Sequence, residues 1–300
     1  MRSRGAPFLS LVLPAYNEET WLEPAVATIA TRLGAAGFPF EIVVVDDGST
    51  DATASRARGL SSRFEVNVLS YPVNRGKGHA VRTGVVASKG RYVAFMDVDL
   101  STSPSYIPAF LTEAAAGADV VVATRRAPGA ATIPPQGPLR RIGGKIFTRL
   151  ACAALSLPKT TTDVTCGFKM FRGAVARALF LRQKLDGWGF DAEILYLAHR
   201  AGLKIAELPI RWSNRADSRV RVWRDAFRTA AELVAVRRNV FAGVYGPPEL
   251  PVPMEPADDA PRAASGPAAG PDASALPAEE AGEPDPGVGG RDPGDLLGRP

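Results

Sequence analysis

The sequence predicts an α/β protein in which helices flank a mostly parallel β-sheet. Two observations indicate this fold class. Short apolar runs alternate with segments of helical periodicity through the first 124 residues, and these runs lack the strict polar–apolar alternation of half-exposed strands. Continuous apolar strands are typical of a sheet covered on both faces, and the intervening helices would supply that cover. With 300 residues, the chain is long enough for one large α/β domain or for about two smaller ones.

The first half of the chain supplies five predicted strands and four predicted helices. The apolar runs end where a proline or an acid follows, as at Pro14, Asp46 and Asp97. The helices are indicated by apolar residues three or four positions apart, such as Leu22 and Val26. The predicted strands are Phe8–Leu13, Glu41–Val45, Val66–Ser70, Tyr92–Met96 and Asp119–Ala123. The predicted helices are Thr20–Leu33, Asp51–Leu60, Gly78–Ser88 and Ser105–Ala116.

The alternation of strands and helices weakens beyond Thr124. Residues 128–138 are rich in glycine, alanine and proline and predict a loop. Pro209 marks the run around it as an edge strand, because proline cannot donate a hydrogen bond within a sheet. The predicted strands of this half are Phe168–Phe171 and Lys204–Arg211, and the predicted helices are Leu139–Leu155, Asp191–Ala201 and Arg219–Phe241. The last helix is basic and amphipathic.

The composition divides the chain near Tyr245. Residues 246–300 contain 13 of the 26 prolines, no aromatic residue, and 3 basic against 11 acidic residues, a net charge of −8. We expect this acidic tail, rich in proline, alanine and glycine, to be disordered, since it has too little apolar surface to offset chain entropy. Residues 1–245 carry a net charge of +13 and form the predicted globular domain. Such a basic domain suggests an anionic partner, for example phosphates, nucleic acid or a lipid surface.

No part of the sequence predicts a membrane span or a secretion signal. No window approaches 18 consecutive apolar residues, and the first residues lack the apolar core of a signal peptide. Cys152 and Cys166 lack zinc-ligand spacing and are expected to be free thiols in a reducing cytoplasm. We therefore expect any membrane contact to be peripheral.

Two acids follow the fourth predicted strand, at the sheet edge where parallel sheets bind ligands. These are Asp97 and Asp99, and residues two apart on an extended segment point to the same side. Carboxylate oxygens are ligands of hard divalent cations, and Mg²⁺ commonly shares its site with substrate phosphates. The pair therefore predicts a Mg²⁺ or Mn²⁺ site, against the alternative of a solvated loop with two acids.

Three further polar segments lie at the same predicted edge. Asp46 and Asp47 follow the second strand, where an acid often accepts hydrogen bonds from a nucleotide. Residues 74–79 (NRGKGH) follow the third strand and open a helix, and their glycines and basic side chains suit a phosphate. This segment has neither the P-loop spacing nor the dinucleotide-binding spacing. Residues 14–18 (PAYNE) follow the first strand, with a helix start as the alternative interpretation.

Taken together, PAYNE, DDGSTD, NRGKG and DVDLS resemble, in order and spacing, the family 2 glycosyltransferases of GT-A fold. In the second half, DVTCGFKMF from Asp163, GWGFDAE from Gly187 and PIRW from Pro209 are similar to the members that make polyprenyl-phosphate hexoses, including dolichyl-phosphate glucosyl and mannosyl transferases. The resemblance covers roughly residues 7–241. It implies a Rossmann-like GT-A domain, with a nucleotide-binding half at about 7–124 and an acceptor half at about 125–245.

The resemblance also implies roles for individual residues on the donor side. The residues that it implies around the nucleotide sugar are Pro14, Tyr16, Glu18, Asp46, Asp47, Lys77 and Asp97. Asp99, together with Asp97, would bind the Mg²⁺ or Mn²⁺ ion that bridges the diphosphate and neutralises charge on the leaving nucleotide.

On the acceptor side, a phosphomonoester needs cations rather than a general base, because its second pKa is about 6 and it is largely dianionic at neutral pH. The candidates are Arg125, Arg140 and Arg141, since the planar fork of arginine matches phosphate oxygens. For the helix arginines, the alternative is a solvated basic face. The resemblance implies Asp191 as a base or sugar-hydroxyl acceptor and Asp163 as an acceptor-side acid, which with Arg125 complete the predicted catalytic set.

The resemblance implies an inverting transfer of a hexose to a polyprenyl or dolichyl phosphate, giving a β-linked lipid-phosphate sugar, with glucose from UDP-glucose favoured. The alternatives are a GDP-mannose donor and a soluble or polysaccharide acceptor. Nucleic-acid binding is disfavoured, because few aromatic residues interleave with the basic ones and the two strand-end acids would have no use. Because the acceptor would be a lipid and the sequence predicts no spanning segment, we expect a cytoplasmic protein that contacts the membrane from outside the bilayer. The contact with the anionic inner face of the cell membrane would be made by Leu139–Leu155 and Arg219–Phe241.

Overall fold

The computed structural model describes residues 6–134, 138–158, 161–213, 222–248 and 250. Within these ranges, the side chains of residues 138–141, 147 and 222–230 are outside the description. The predicted disordered tail therefore lies almost entirely outside it, and so do residues 219–221 of the last predicted helix.

The described residues form nine strands, eight α-helices and one short 3-10 helix, Pro104–Tyr106. The strands are β1 (Leu9–Ala15), β2 (Phe40–Asp46), β3 (Val66–Ser70), β4 (Tyr92–Phe95), β5 (Val120–Thr124), β6 (Ala131–Ile133), β7 (Lys169–Arg172), β8 (Ile205–Pro209) and β9 (Arg211–Ser213). The helices are α1 (Leu22–Ala35), α2 (Thr53–Leu60), α3 (Lys77–Ala87), α4 (Ile107–Ala115), α5 (Pro138–Leu155), α6 (Gly173–Arg182), α7 (Phe190–Arg200) and α8 (Val222–Phe241). In the described part of the chain, no helix is both long enough and apolar enough to cross a bilayer.

Seven of these strands form one sheet in the order β3-β2-β1-β4-β7-β5-β8. All neighbours are parallel except β7, which runs antiparallel to both β4 and β5. The prediction of a mostly parallel sheet flanked by helices is confirmed. Because β7 is reversed, its first residue, Lys169, pairs with Phe95 and Val122 near the ends of β4 and β5. The residues just before β7 thus reach the same sheet edge as the residues just after the parallel strands.

Helices cover both faces of the sheet, which explains why its central strands are apolar throughout. Successive residues of a strand point to opposite faces. Leu11 and Leu13 of β1 therefore belong to one buried cluster, together with Ile29 of α1. Val12, between them, belongs to a second cluster with Val81 of α3. Strand β1 therefore contributes to two cores at once.

Two short strands differ from the prediction. Strand β6 lies inside the predicted loop 128–138 and pairs in parallel with β9. The single strand predicted at Lys204–Arg211 is divided into β8 and β9 at Ile210, which is fully buried and donates its N–H to the Thr124 carbonyl at 3.0 Å. This anchor ends the pairing of β8 with β5 and directs the chain into the small sheet. Strand β8 lies at the sheet edge, as Pro209 predicts.

Helix α6 is missing from the sequence prediction, although its apolar residues have helical spacing. Val175, Ala176, Leu179 and Phe180 are buried against the sheet. The helix has only 10 residues and begins with Gly173, which is a weak helix former. Its pattern is therefore faint in the sequence, and its stability depends on packing.

Candidate active site

Hydrogen bonds join the two loops that follow β1 and β2. The Asn17 side chain accepts a hydrogen bond from the Thr50 N–H at 2.8 Å, and the Ser49 hydroxyl accepts one from the Asn17 N–H at 2.9 Å. Asn17 has a left-handed φ of 55°, which asparagine tolerates better than most residues. Glu18 adds an N–H bond to the Thr53 hydroxyl at 2.8 Å. The PAYNE and DDGSTD segments therefore form one continuous border of the sheet edge.

The predicted donor residues of β1 and β2 lie along this border. Pro14 and Glu18 are half-buried, and the ring of Tyr16 is exposed. Asp46 ends β2 and is buried, and its carboxylate accepts a hydrogen bond from the Ser70 hydroxyl at 3.0 Å. Asp46 thus links the ends of β2 and β3, while the Tyr16 ring faces solvent beside them.

Asp47 holds the loop that follows β3. One carboxylate oxygen accepts hydrogen bonds from the Tyr71 hydroxyl and the Arg75 N–H, both at 2.8 Å. The other accepts from the Asn74 amide and the Gly76 N–H, both at 3.0 Å. These four donors fill the usual acceptor sites of a carboxylate. A direct contact between Asp47 and a nucleotide, as predicted, would displace one of these four donors. In this state, Asp47 fixes the loop that follows β3.

Close packing explains two glycines of these loops. Gly48 has a φ of 69°, and a Cβ there would lie 2.5 Å from the Asn74 nitrogen. Gly76 has a φ of 107°, and a Cβ there would lie 2.4 Å from the Asp186 carbonyl oxygen. The NRGKG loop is therefore pressed between the DDGSTD turn and the segment that precedes α7.

Lys77, the first residue of α3, points toward the acids after β4. Its Nζ lies 2.5 Å from Oδ1 of Asp97 and 5.0 Å from the centroid of the Trp188 ring. Burial acts to lower the pKa of Lys77, but the attraction of Asp97, Asp191 and Asp99 outweighs burial and raises it. The ammonium therefore stays charged at neutral pH.

The DVD segment turns, whereas the sequence analysis expects it to be extended. The Leu100 N–H donates to the Asp97 carbonyl at 3.2 Å, and Leu100 has a φ of 52°. Asp99 accepts hydrogen bonds from the N–H of Ser101 at 2.8 Å and from its hydroxyl at 2.7 Å. A Cβ at Gly167 would lie only 2.2 Å from Oδ2 of Asp97, so the TCGFK segment lies directly against this turn.

The donor set of this turn fits a hard divalent cation that shares its ligands with a substrate. The side chain of Asp97 is 41% exposed, and Asp99 is half-buried. Among the described residues, no group of three or more histidine, cysteine, aspartate or glutamate side chains could hold a metal ion. Two carboxylates without a third ligand suit Mg²⁺ or Mn²⁺ when phosphate and water oxygens complete the shell.

Arg125 and Arg126 surround the buried carboxylate of Asp163 at the end of β5. Arg125 donates to both oxygens of Asp163, from Nε at 2.7 Å and from Nη2 at 3.0 Å, and Arg126 donates from Nη1 at 3.0 Å. Burial acts to raise the pKa of Asp163, but the two guanidinium groups hold it well below its usual range. The guanidinium of Arg125 also lies 5.5 Å from the centroid of the Trp212 ring.

This cluster gives the environment of Asp163, whose expected role as an acceptor-side acid stays a prediction. A fully buried carboxylate that stays ionised between two arginines does not exchange protons with a substrate near neutral pH. The two hydrogen bonds to Asp163 fix the direction of the Arg125 guanidinium. Arg125 itself lies where the sequence predicts it, one residue beyond β5.

Asp191 forms a buried ion pair with Lys169. Both residues are at most 2% exposed, and Nζ of Lys169 also donates to the Cys166 carbonyl at 2.8 Å. Burial raises the pKa of Asp191, and the attraction of Lys169 and Lys77 opposes the rise. A carboxylate so covered and already paired is not available to a sugar hydroxyl in this state. The expected role of Asp191 as a base or sugar-hydroxyl acceptor stays a prediction.

The predicted acceptor residues of α5 are only partly described. The helix is present, but the side chains of Arg140 and Arg141 lie outside the described part of the structure, so their role stays a prediction. Lys145 and Arg149 of the same helix are exposed. Both remain compatible with a solvated basic face.

Two basic residues of the site are not singled out by the sequence analysis. Arg126 joins α5 to the sheet edge, because its Nη1 also donates to the Thr148 hydroxyl at 2.7 Å. Lys169 begins the interior strand β7 and is fully buried. A lysine that opens an apolar strand is a usable signal, since buried lysines require an anionic partner.

Sequence comparison identifies a family and named relatives. Residues 10–180 match the model of Glycosyl transferase family 2. The dolichyl-phosphate beta-glucosyltransferase of Drosophila melanogaster is 34% identical over 220 residues, which cover 69% of this chain and 67% of that protein. The dolichyl-phosphate beta-glucosyltransferase of Saccharomyces cerevisiae is 29% identical over 258 residues, which cover 79% and 76% of the two chains.

Solved structures confirm the predicted GT-A fold. Glucosyl-3-phosphoglycerate synthase from Mycobacterium tuberculosis, in complex with Mn²⁺, uridine diphosphate and phosphoglyceric acid, has a TM-score of 0.57 at 23% identity. The match covers 81% of this chain and 80% of that one. Mannosyl-3-phosphoglycerate synthase from Rubrobacter xylanophilus has a TM-score of 0.58 at 20% identity and covers 79% and 75%.

The Asp163→Asn variant tests the buried ion pairs. Removing one partner should lower the free energy of unfolding at neutral pH by about 3–5 kcal/mol. The pKa of Asp163 in the folded protein lies below its ordinary value of 3.8. The ionised carboxylate therefore stabilises the folded protein at pH values above 3.8, and this stabilisation is lost as the pH falls from 3.8 toward the folded pKa. Wild type should therefore lose more stability than the variant on acidification from about pH 6 to pH 3 in urea unfolding. An equal loss in both proteins would contradict this assignment.

Proposed function

Because this chain belongs to glycosyltransferase family 2, we propose that it transfers glucose from UDP-glucose to the phosphate of a polyprenyl lipid such as dolichyl phosphate. The observation that carries the proposal is that Asp97 and Asp99 follow β4 and Arg125 follows β5, two strands of the same direction whose ends lie at one edge of the sheet. Two relatives named dolichyl-phosphate beta-glucosyltransferase support the choice of sugar and acceptor.

On the donor side, Asp97 and Asp99 would hold a Mg²⁺ or Mn²⁺ ion against the diphosphate. A divalent ion there would act as a Lewis acid that stabilises the charge on the departing nucleoside diphosphate. The complex of a fold relative with Mn²⁺ and uridine diphosphate supports both the ion and the nucleotide. Lys77 would keep its positive charge beside the same acids and add to the neutralisation of the phosphates.

On the acceptor side, the lipid phosphate would attack the anomeric carbon as a dianion. A bond forms between a phosphate oxygen and that carbon while its bond to the diphosphate oxygen breaks, so the configuration inverts in one displacement. No proton needs to be removed from the nucleophile. This is consistent with positioning roles for Asp163 and Asp191, and it leaves Arg125 as the cation that meets the incoming phosphate.

We further propose that α5 and α8 bring the site to an anionic membrane. Ile142, Ile146 and Leu150 are each more than half exposed and lie four residues apart on one face of α5. Lys145 and Arg149 flank them on the same helix. Helix α8 packs against α5, and this pair of helices suits an interface of apolar lipid and negative headgroups.

The two cysteines support a choice of membrane side. Cys152 and Cys166 are both free. Free thiols suit a reducing compartment. We therefore propose contact with the inner, cytoplasmic face of the cell membrane.

The direct test of the proposed reaction uses purified protein, Mg²⁺, a polyprenyl phosphate and radiolabelled UDP-glucose. We expect an acid-labile labelled lipid in the organic phase, and a loss of about 100-fold in Asp99→Asn because the variant weakens charge stabilisation at the leaving group. The control Glu23→Gln alters an exposed ion pair with Arg63 and should keep full activity. Transfer of labelled sugar only from GDP-mannose would contradict the proposed donor. Transfer only to a soluble acceptor would contradict the proposed acceptor.

The membrane contact predicts that Ile142→Ser, Ile146→Ser and Leu150→Ser together weaken binding to vesicles of zwitterionic and anionic phospholipid. Loss of three interfacial apolar side chains should lower the partition coefficient in a sedimentation assay by at least about tenfold. Leu181→Ser, on α6, is the control because it removes an equally exposed leucine outside α5 and α8. Failure of wild type to bind at low salt, or equal binding by the triple variant, would refute the contact.

A further inference from the structure

The tryptophan segment, residues 183–189, connects α6 to α7 and lies against the NRGKG loop. A Cβ at Gly78 would lie 2.8 Å from the carbonyl oxygens of Leu185 and Gly187. A Cβ at Gly76 would lie 2.4 Å from the carbonyl oxygen of Asp186. The backbone of the tryptophan segment therefore sets where the loop that carries Lys77 can lie.

Carboxylates hold both ends of this segment. At its beginning, the buried Glu193 accepts hydrogen bonds from the N–H groups of Lys184 and Leu185 at 2.9 and 3.0 Å. At its end, Glu232 of α8 accepts one from the Gly189 N–H at 2.6 Å. The first acid belongs to α7, the helix that follows the segment, whereas the second comes from a helix more than forty residues further along the chain.

The glycines on either side of Trp188 make room for Glu232. A Cβ at Gly187 would lie 2.0 Å from Oε1 of Glu232, and one at Gly189 would lie 2.8 Å from the Glu232 Cβ. Both positions therefore need glycine if the carboxylate is to reach the backbone. This accounts for the Gly-Trp-Gly sequence, which the proposed chemistry alone does not explain.

Trp188 connects the hydrogen bond between Glu232 and Gly189 to the donor side of the site. Its side chain is 43% exposed, and its ring centroid lies 5.0 Å from Nζ of Lys77. Lys77 in turn pairs with Asp97, one of the two acids at the proposed metal position. Three successive contacts thus lead from Glu232 to the donor acids.

We propose that Glu232 is a positioning residue for the donor side of the site. Its carboxylate fixes the Gly189 backbone, which holds the Trp188 ring against Lys77 and keeps Lys77 directed at Asp97. The donor-side consequence rests on the proposed function, whereas the placement of Trp188 does not. Through Glu232, the seating of α8 determines how well the nucleotide sugar is bound.

The test combines Glu232→Ala, Gly187→Ala and the double variant. The KM for the nucleotide sugar should rise about tenfold in Glu232→Ala, the factor expected for the loss of one strong hydrogen bond, with the acceptor KM unchanged. Gly187→Ala should act alike, because its methyl group displaces the flexible carboxylate from Gly189. The double variant should match either single variant. Glu232→Gln should retain near-normal KM, since its amide oxygen still accepts the bond. Glu23→Ala is the surface control.

A second readout separates this inference from the proposed reaction. The emission of Trp188, isolated by subtracting the spectrum of Trp188→Phe, should change in Glu232→Ala and in Gly187→Ala but not in Glu23→Ala. If wild type transfers no sugar while this emission changes as expected, the proposed function and its donor-side consequence fail, whereas the placement of Trp188 by Glu232 stands. Unchanged Trp188 emission, additive effects of the two substitutions, or equal rises in both KM values would overturn the positioning role.

Discussion

The ion pair between Lys77 and Asp97 is the contact on which the rest of the site depends. Four segments that are distant in sequence meet at this pair. Asp47 fixes the loop that leads to Lys77, and Trp188 covers the ammonium group. Gly167 lies against the Asp97 carboxylate. A change in any of these segments would therefore alter the direction of Asp97, one of the two acids proposed to bind the metal ion.

Buried charge is the main constraint on the proposed acceptor side. An unpaired carboxylate in the interior would cost several kcal/mol, so Asp163 and Asp191 are stable only with cationic partners. Arg125 is a cationic partner of Asp163, and Lys169 is the cationic partner of Asp191. The same pairing gives Arg125 a fixed direction before any substrate arrives. Preorganised donors of this kind stabilise developing or incoming charge without further reorganisation of the protein.

The sequence predicts most of the sheet, because its alternating apolar strands and helices are local patterns. It does not predict that β7 is antiparallel, because the apolar pattern of a strand does not depend on the direction of the strand. The antiparallel direction of β7 brings Gly167 beside Asp97. The sequence predicts functional roles for Asp47 and Asp163, but it does not reveal that donors from neighbouring segments fill their carboxylate oxygens. Glu232 has no motif around it, and its role emerges only from packing.

The most direct measurement of the central claim is a Mn²⁺ titration followed by electron paramagnetic resonance, with and without uridine diphosphate. Two carboxylates, one of them paired with Lys77, should bind Mn²⁺ weakly until diphosphate oxygens complete the shell. The account therefore predicts that free Mn²⁺ is depleted only when the nucleotide is present, and that Asp97→Asn/Asp99→Asn abolishes this depletion. Tight binding of Mn²⁺ without the nucleotide, or nucleotide-dependent binding that survives in the double variant, would contradict the account.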